Sequence, residues 1–343
     1  MKRKLTLFAL LGLISSQAYS QIDEHFSMYS ETRMQINPAA AGFFKAKYKF
    51  FTNFRRQWWA IPDQPATTYS ASFDTRVWED LKAGRSIGGG LYFSNDLSGD
   101  LRYNQLNISV PVNYAIRLDE YNKLSAGIAP GYFQRSIADN SPTWDNQWNN
   151  FTGFDQSRPS GEQIFNSNEL VGRFDLAAGL YWEFNYDEYI FMSLGVAGNH
   201  ITRPKINYLP DDDRMRRSLN LHYFGNFGRE DFPLTFRPSA MWTIQGPQQS
   251  LVFGTTIDIL LRGESKMTGY YNRTSLELGG HFRYNDAVIG SLALHVGGMS
   301  FGAAYDYTIS NLSNIGVGGA TEFFIYYRMG QPQGPGQIEL IEE

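Results

Sequence analysis

The chain has 343 residues and not one cysteine. That absence excludes disulfide scaffolds, iron–sulfur clusters, thiol catalysis, cysteine-rich zinc sites and an acylated-cysteine lipid anchor. Charge is scarce as well: Asp, Glu, Lys and Arg make up 19% of the residues and leave a net charge of −4. A nucleic-acid partner needs a basic surface to meet phosphates, so none is expected. The sequence also lacks a long apolar run after its first residues, and its mean hydropathy of −0.36 is too polar for a bundle of membrane helices. Aromatics are plentiful: 21 Tyr and 25 Phe accompany 33 Gly. Many aromatics with few charges exclude disorder. The combination suits a β-barrel with a polar lining and an apolar coat.

The first residues form an export leader. Lys2, Arg3 and Lys4 precede an apolar run from Leu5 to Ile14, and Ala18-Tyr19-Ser20 precede Gln21. A basic start, a short apolar stretch and an A-x-S cleavage site predict a signal peptide over 1–20 and a mature chain from Gln21. The apolar run is about half the length of a bilayer-crossing helix.

The dominant signal beyond it is period-two alternation. Leu106, Ile108, Val110, Val112, Tyr114 and Ile116 alternate with Asn107, Ser109, Pro111, Asn113 and Ala115. Eleven residues match the roughly 9–11 of a tilted membrane strand. The pattern recurs around Tyr69, Phe174, Leu276 and Phe301. In a soluble sandwich the second face would be rich in Lys and Glu; here it is Gly, Ser, Asn and Ala with isolated charges, which suits a filled lumen. The fold class is therefore an all-β transmembrane antiparallel barrel in the outer membrane. Fourteen strands are expected between residues 45 and 328. Residues 21–44 read as a periplasmic or lumen-entering segment, and 329–343 as a flexible, acidic, periplasmic tail.

Two long connections, 138–172 and 200–217, leave the same end of the barrel and are expected to face the exterior. The first holds Trp144, Trp148, Phe151 and Phe154, the candidates for partner binding; a self-packed loop without a ligand is the plainer reading. Asp211, Asp212 and Asp213 in the second resemble a calcium cluster, but Arg214, Arg216 and Arg217 beside them favour solvated ion pairs. Asp74, Arg76, Asp175, Glu183, Glu277, Arg283, Asp306 and Glu322 fall on the polar faces. They are expected to pair inside the lumen and fix strand register. His281 is read as a paired lumen histidine beside Glu277 and Arg283. No HExxH or GxxxxGK[ST] occurs, and neither a catalytic residue nor a cofactor is assigned.

Two segments go beyond alternation. Phe26-Ser27-Met28-Tyr29 is followed by Ile36-Asn37-Pro38-Ala39-Ala40-Ala41-Gly42. Arg55-Arg56-Gln57-Trp58-Trp59 is followed by Pro65-Ala66-Thr67. Together they resemble the opening of the PorP/SprF family of Bacteroidota outer-membrane proteins, with Asn37, Pro38, Gly42, Arg55, Gln57, Trp58, Pro65 and Thr67 on the motif positions. Arg283 with Asp286-Ala287, and Ala304-Tyr305-Asp306-Tyr307, are similar to later family segments. Ala40 stands where the family usually has an aromatic, Thr321 replaces the His before Glu322, and the tail past Arg328 is long. The resemblance implies a non-enzymatic role in type IX secretion and gliding. Its implied partners are a secreted adhesin with a type-B C-terminal domain and proteins of the machinery, in contact with the bilayer and the lipopolysaccharide leaflet.

The residues supply their own argument for docking. Asn37-Pro38 initiates a turn and Gly42 permits a tight bend, so this segment is expected to hold one shape at the periplasmic mouth. Arg55 and Arg56 are adjacent and must point to opposite faces, one into the lumen. The rival from another class is a diffusion porin or small-solute channel, which needs an open lumen.

Overall fold

The computed structural model describes residues 23–60, 65–99, 102–137, 144–155, 157–159, 161, 171–187, 189–205, 214–263, 273–311, 313 and 318–330. The leader, Pro142, Asp211 to Asp213 and the tail beyond Gly330 lie outside the described residues.

Alternating side chains build the strands β1 (Tyr48–Gln57), β2 (Ala66–Asp80), β3 (Arg85–Ser98), β4 (Tyr103–Ser109 continuing as Val112–Arg117), β5 (Asn122–Ile137), β6 (Val171–Asn185) and β7 (Ile190–Asn199). They continue with β8 (Ser218–Arg229), β9 (Phe232–Gln245), β10 (Gln248–Arg262), β11 (Thr274–Arg283), β12 (Ala287–Val296), β13 (Met299–Thr308) and β14 (Ala320–Met329). Every strand pairs antiparallel with its sequence neighbours, and β1 pairs with β14 from Tyr48–Met329 to Gln57–Ala320, which closes the sheet into a fourteen-stranded barrel. The break in β4 falls at Val110-Pro111 because proline has no N–H to give the ladder. Val110 still donates to Pro130 O, and the register resumes unshifted.

One period-two face points outward and is apolar: Phe50, Tyr69, Leu91, Val112, Leu180, Leu292 and Ile325 are exposed all round the wall. Such a continuous apolar belt belongs in lipid. The two rims differ. At one, Tyr48 and Met329 sit beside the short connections 81–84, 118–121, 186–189, 230–231 and 297–298, with 263–273 the longer exception. The opposite rim carries 138–170 and 200–217. These are called the turn end and the loop end below.

The interior is filled by the protein's own N-terminal segment. Residues 23–47 enter at the loop end, where the Asp23 N–H donates to Gln245 Oε1 at 2.9 Å. They leave at the turn end, where the Lys47 N–H donates to Met329 O at 3.2 Å. On the way they form a 3-10 turn (Tyr29–Glu31), a short helix (Arg33–Ile36) and a second 3-10 turn (Pro38–Ala40). Met28, Tyr29 and Ile36 pack on Phe51, Phe224 and Phe324 of the wall. The hydrophobic core of this molecule is thus the seam between segment and wall. Of the two readings of residues 21–44, the described part takes the lumen-entering one: the turn at Asn37, Pro38 and Gly42 sits within the wall rather than outside it, and its neighbours Ile36 and Ala39 to Ala41 are buried inside, where burial favours them.

Candidate functional site

The loop-end half of the segment is held by charge. Ser27 and Met28 donate their backbone N–H groups to the two oxygens of the Glu322 carboxylate, at 2.6 and 3.0 Å. Arg55 reaches the same carboxylate at 3.2 Å and Asp306 at 2.9 Å, and Arg283 meets Asp306 at 3.0 Å. The Ser27 hydroxyl donates to Asp306 at 2.5 Å and accepts from Arg55 at 2.7 Å. Two guanidiniums and two carboxylates balance, and all four side chains are buried. Buried charge is tolerable only when paired and hydrogen-bonded in this way.

A second anchor sits at the rim. The His200 ring lies between two carboxylates, with Nε2 3.0 Å from Asp23 and Nδ1 2.6 Å from Asp175. Burial opposes charging the ring, but the two carboxylates overcome that cost and push its pKa up to about 10. The Gln245 carboxamide pairs with Asp23 through the Asp23 N–H and one carboxylate oxygen. Glu24 accepts from Ser94 and, at 3.1 Å, from Gln105.

The turn-end half is held by shape. Asn37 caps the second 3-10 turn: its Oδ1 accepts from the Ala39 N–H at 2.9 Å, and Pro38 supplies the preset φ of the first position. Its Nδ2 donates to Leu180 O at 2.9 Å and faces His222 Nε2 at 3.1 Å. Asn113 donates to the carbonyls of Ala39 and Ala41. The wall facing this turn is glycine. A Cβ on Gly88 would lie 2.1 Å from Ala41 O, one on Gly127 2.6 Å from Ala39 N, and one on Gly179 2.1 Å from Asn37 Oδ1. Gly42 leaves the turn at φ +77°, with its N–H on Asp74 at 2.6 Å and its carbonyl on Arg76 at 3.2 Å. Ala40, where an aromatic is usual in the resembled family, packs beside Tyr181, against whose ring Phe43 stands edge-on at 4.9 Å.

The polar-face charges therefore form separate groups. Arg283, Asp306 and Glu322 share the Arg55 cluster. Asp175 belongs to His200, Asp74 and Arg76 hold the segment's exit, and Arg76 also meets Glu79 at 3.0 Å. Glu277 and Asp258 flank Arg237, while Glu183 lies opposite Lys123 across the β5–β6 pair. His281 does not meet Arg283; its Nε2 faces Ser239 Oγ at 3.1 Å, and Ser239 pairs with the Tyr29 hydroxyl. Sequence reasoning missed His200 and Arg237, which lie outside the quoted alternation. Of the remaining motif residues, Gln57 ends β1, Trp58 turns there at φ +60°, and Pro65 and Thr67 open β2, all at the loop end.

A Ser–His–acid geometry does occur: Ser300 Oγ is 2.6 Å from His295 Nδ1, and His295 Nε2 is 3.5 Å from Glu277. Ser300 is fully buried and Glu277 is engaged by Arg237, so the serine has no face open to a substrate. Among the described residues no three His, Asp or Glu side chains converge as metal ligands.

At the loop end the aromatic connection forms a miniature hairpin, Trp148–Asn149 against Gly153–Phe154. Trp148 and Phe154 meet edge-on at 4.8 Å. Gln147 Nε2 donates to Arg158 O, and the Arg158 guanidinium donates to Trp148 O, bracing the hairpin. Trp144 is half-buried at its base, with its N–H on Gln147 Oε1. Phe151 at the tip is 96% exposed.

The sequence model of the family described as type IX secretion system membrane protein PorP/SprF matches residues 18–327. No curated protein matches the chain. Among solved structures it is similar to the CymD monoaromatic hydrocarbon channel, at 10% identity over 88% of this chain and 93% of that one, with a TM-score of 0.49. It is also similar to a Pseudomonas aeruginosa FadL homologue, at 10% identity over 85% and 92%, with a TM-score of 0.45. BamA from Haemophilus ducreyi follows at 9% identity over 82% and 70%, with a TM-score of 0.41. At such identities the likeness concerns the barrel alone.

Proposed function

The chain belongs to the PorP/SprF family of type IX secretion system membrane proteins, and on that premise we propose that it is a non-enzymatic outer-membrane anchor or export accessory. Its cargo is a secreted adhesin, held through a type-B C-terminal domain, and it works within the secretion and gliding machinery. The turn end faces the periplasm and the loop end the exterior, following the usual division of short turns and long loops. The observation that carries the reading is a barrel whose lumen is threaded from rim to rim by its own chain while a braced aromatic hairpin with an exposed tip sits at the loop end. A closed barrel with an exposed aromatic tip is built to bind rather than to conduct. Tyr, Trp and Phe give large contact area at low entropic cost, which suits a docking surface.

The filled lumen argues against the diffusion-porin alternative. With the N-terminal segment buried inside, coupling to the periplasmic machinery falls to the turn-end rim and the tail after Gly330.

Replacing residues 144–159 by a short Gly-Ser linker tests the hairpin. Surface display of the adhesin, scored by antibody on intact cells, is expected to drop severely while the barrel still assembles. Undiminished display in that variant would reject the hairpin as the partner site.

A further inference from the structure

The turn-end rim is stepped between β1 and β2. The two strands pair from Gln57–Ala66 to Tyr48–Thr75, and there β1 stops, because the chain before Tyr48 comes out of the lumen. β2 runs on to Asp80, five residues past Thr75. Its other side stays paired with β3, through Trp78–Ile87, Glu79–Ser86 and Asp80–Arg85. β14, the next strand beyond β1, ends level with Tyr48 at Met329. Among the described residues no backbone hydrogen bond reaches residues 77–80 from the side that β1 has left.

A strand paired on one side only carries a row of N–H and C=O groups ready to pair with another strand. Such an edge cannot stand bare in hydrocarbon. Its surroundings select the kind of strand. Val77 is 66% exposed, Trp78 46% and Leu81 57%, and Lys45, Lys47, Lys82 and Arg85 are exposed around them. Lys47 borders the gap: its carbonyl accepts from the Thr75 hydroxyl at 3.1 Å. The carboxylates of the β2–β3 hairpin are occupied, Glu79 by Arg76 and Asp80 by the N–H groups of Lys82 and Ala83. The edge therefore suits an extended segment that carries both aliphatic and acidic side chains.

The chain has such a segment close by. Gly330 follows the last wall residue and lies against Lys47, where a Cβ would come within 2.8 Å of Lys47 Cβ. Farther on, Gln337-Ile338-Glu339-Leu340-Ile341-Glu342-Glu343 supplies the aliphatic and acidic side chains, with Ile338 and Leu340 separated by Glu339. β2 is the second strand from β14, about 10 Å away at ~4.8 Å per strand. Residues 331–336, with Pro332, Gly334, Pro335 and Gly336 to turn the chain, span up to roughly 20 Å. We propose that residues 337–343 add to the open edge of β2 as a further short strand, with their carboxylates beside Lys45 and Lys47. The added strand replaces an edge bordered by aliphatic and aromatic surface with one that bears carboxylates, which resists pairing with further chains. The inference stands apart from the anchoring role, since it is tested on the purified protein.

The absence of cysteine allows a clean disulfide scan. Val77→Cys is combined in turn with one cysteine at each of positions 337–343 in the detergent-purified full chain, and intramolecular disulfide is measured by mass spectrometry after mild oxidation. Alternate side chains of a strand share a face, so the yield is expected to alternate with period two and to differ several-fold between neighbouring positions. Lys45→Glu together with Lys47→Glu is expected to lower the highest yield several-fold, and an unchanged yield would overturn the pairing of charges. Even yield along 337–343 overturns the strand, because a tail that only passes nearby has no fixed face. No disulfide at any position overturns the site. Disulfide found only between two molecules assigns the edge to a second copy and overturns the inference as well. The heat-modified mobility of the barrel on electrophoresis shows that each variant is folded.

Discussion

Residues 23–29 meet the barrel through ions and hydrogen bonds, whereas residues 36–42 meet it through small side chains set into a glycine groove. In the first region Glu322, Asp306, Arg55 and Arg283 cradle Ser27 and Met28. In the second, Ala39 to Ala41 lie where Gly88 and Gly127 have no Cβ to block them. The two modes respond to different disturbances. An ionic anchor is sensitive to neutralising one partner and to pH, and each group can be exchanged for another of like charge. A shape-fitted turn depends less on charge, which it meets only at its exit where Gly42 touches Asp74 and Arg76, but it fails when a single methyl group is added to the wall. The ionic region lies near the loop end and the shape-fitted one in the turn-end half, next to the segment's exit. One element thus combines an adjustable end with a fixed one.

The largest expected effect comes from breaking the ionic region. Arg55→Met leaves Asp306 and Glu322 buried with half their positive charge removed, and losing one partner of a buried pair costs about 3–5 kcal/mol. Hydrogen exchange should rise sharply over 23–29 and little over 36–42, and planar-bilayer recordings should show current where the wild type shows little. The outward-facing Arg56→Met is the control, with an expected change within about 0.5 kcal/mol. Uniform loosening of both regions would mean that they are not independent.

The rim anchor gives a pH prediction. The folded pKa of His200 is raised above its ordinary 6.5 to about 10. Its contribution is therefore complete below pH 6.5 and is lost as pH rises through 10; the pKa gap corresponds to a few kcal/mol. The stability gap between wild type and His200→Gln, followed as the detergent-solution Tm, should close as pH goes from 6 to 11. A gap that stayed constant would show that His200 acts by packing alone.

The shape-fitted region is tested by one added side chain. Gly127→Val puts a Cβ within 2.6 Å of the Ala39 nitrogen, and overpacking of this kind costs about 1–3 kcal/mol. Hydrogen exchange should rise over 36–42 while 23–29 keeps its protection, the mirror image of Arg55→Met.

Much of the barrel was legible because side-chain direction has period two along a strand: Leu106 to Ile116 announced both the apolar coat and the polar lining. Which cation meets which carboxylate was not. Ser27 and Glu322 are 295 residues apart in sequence, and alternation assigns a face without assigning a partner. The glycines read as small polar-face residues, but their reason for being there is the Asn37–Gly42 turn, visible only once the segment lies inside. The same holds for the motif itself. Asn37-Pro38 and Gly42 announced a rigid turn correctly, yet nothing local says whether a rigid turn sits in the periplasm or in the lumen. His200 stood just past a predicted strand end, and its two carboxylates come from opposite parts of the chain.

The smallest expected effect separates the two things Asn37 does. Its Oδ1 caps the turn and its Nδ2 ties the turn to the wall through Leu180 O. Asn37→Ser keeps a short cap acceptor and gives up the reach to the wall, whereas Asn37→Ala loses both. Losing a cap costs about 0.5–2 kcal/mol, and the wall bond contributes about 1 kcal/mol more. Chemical denaturation in detergent should therefore place Ser between wild type and Ala, with the exchange of residues 38–41 following the same order. If Ser and Ala proved equal, the cap would contribute nothing, and the turn would be held by its wall contacts: the glycine groove, Asn113 and the Asn37–Leu180 bond.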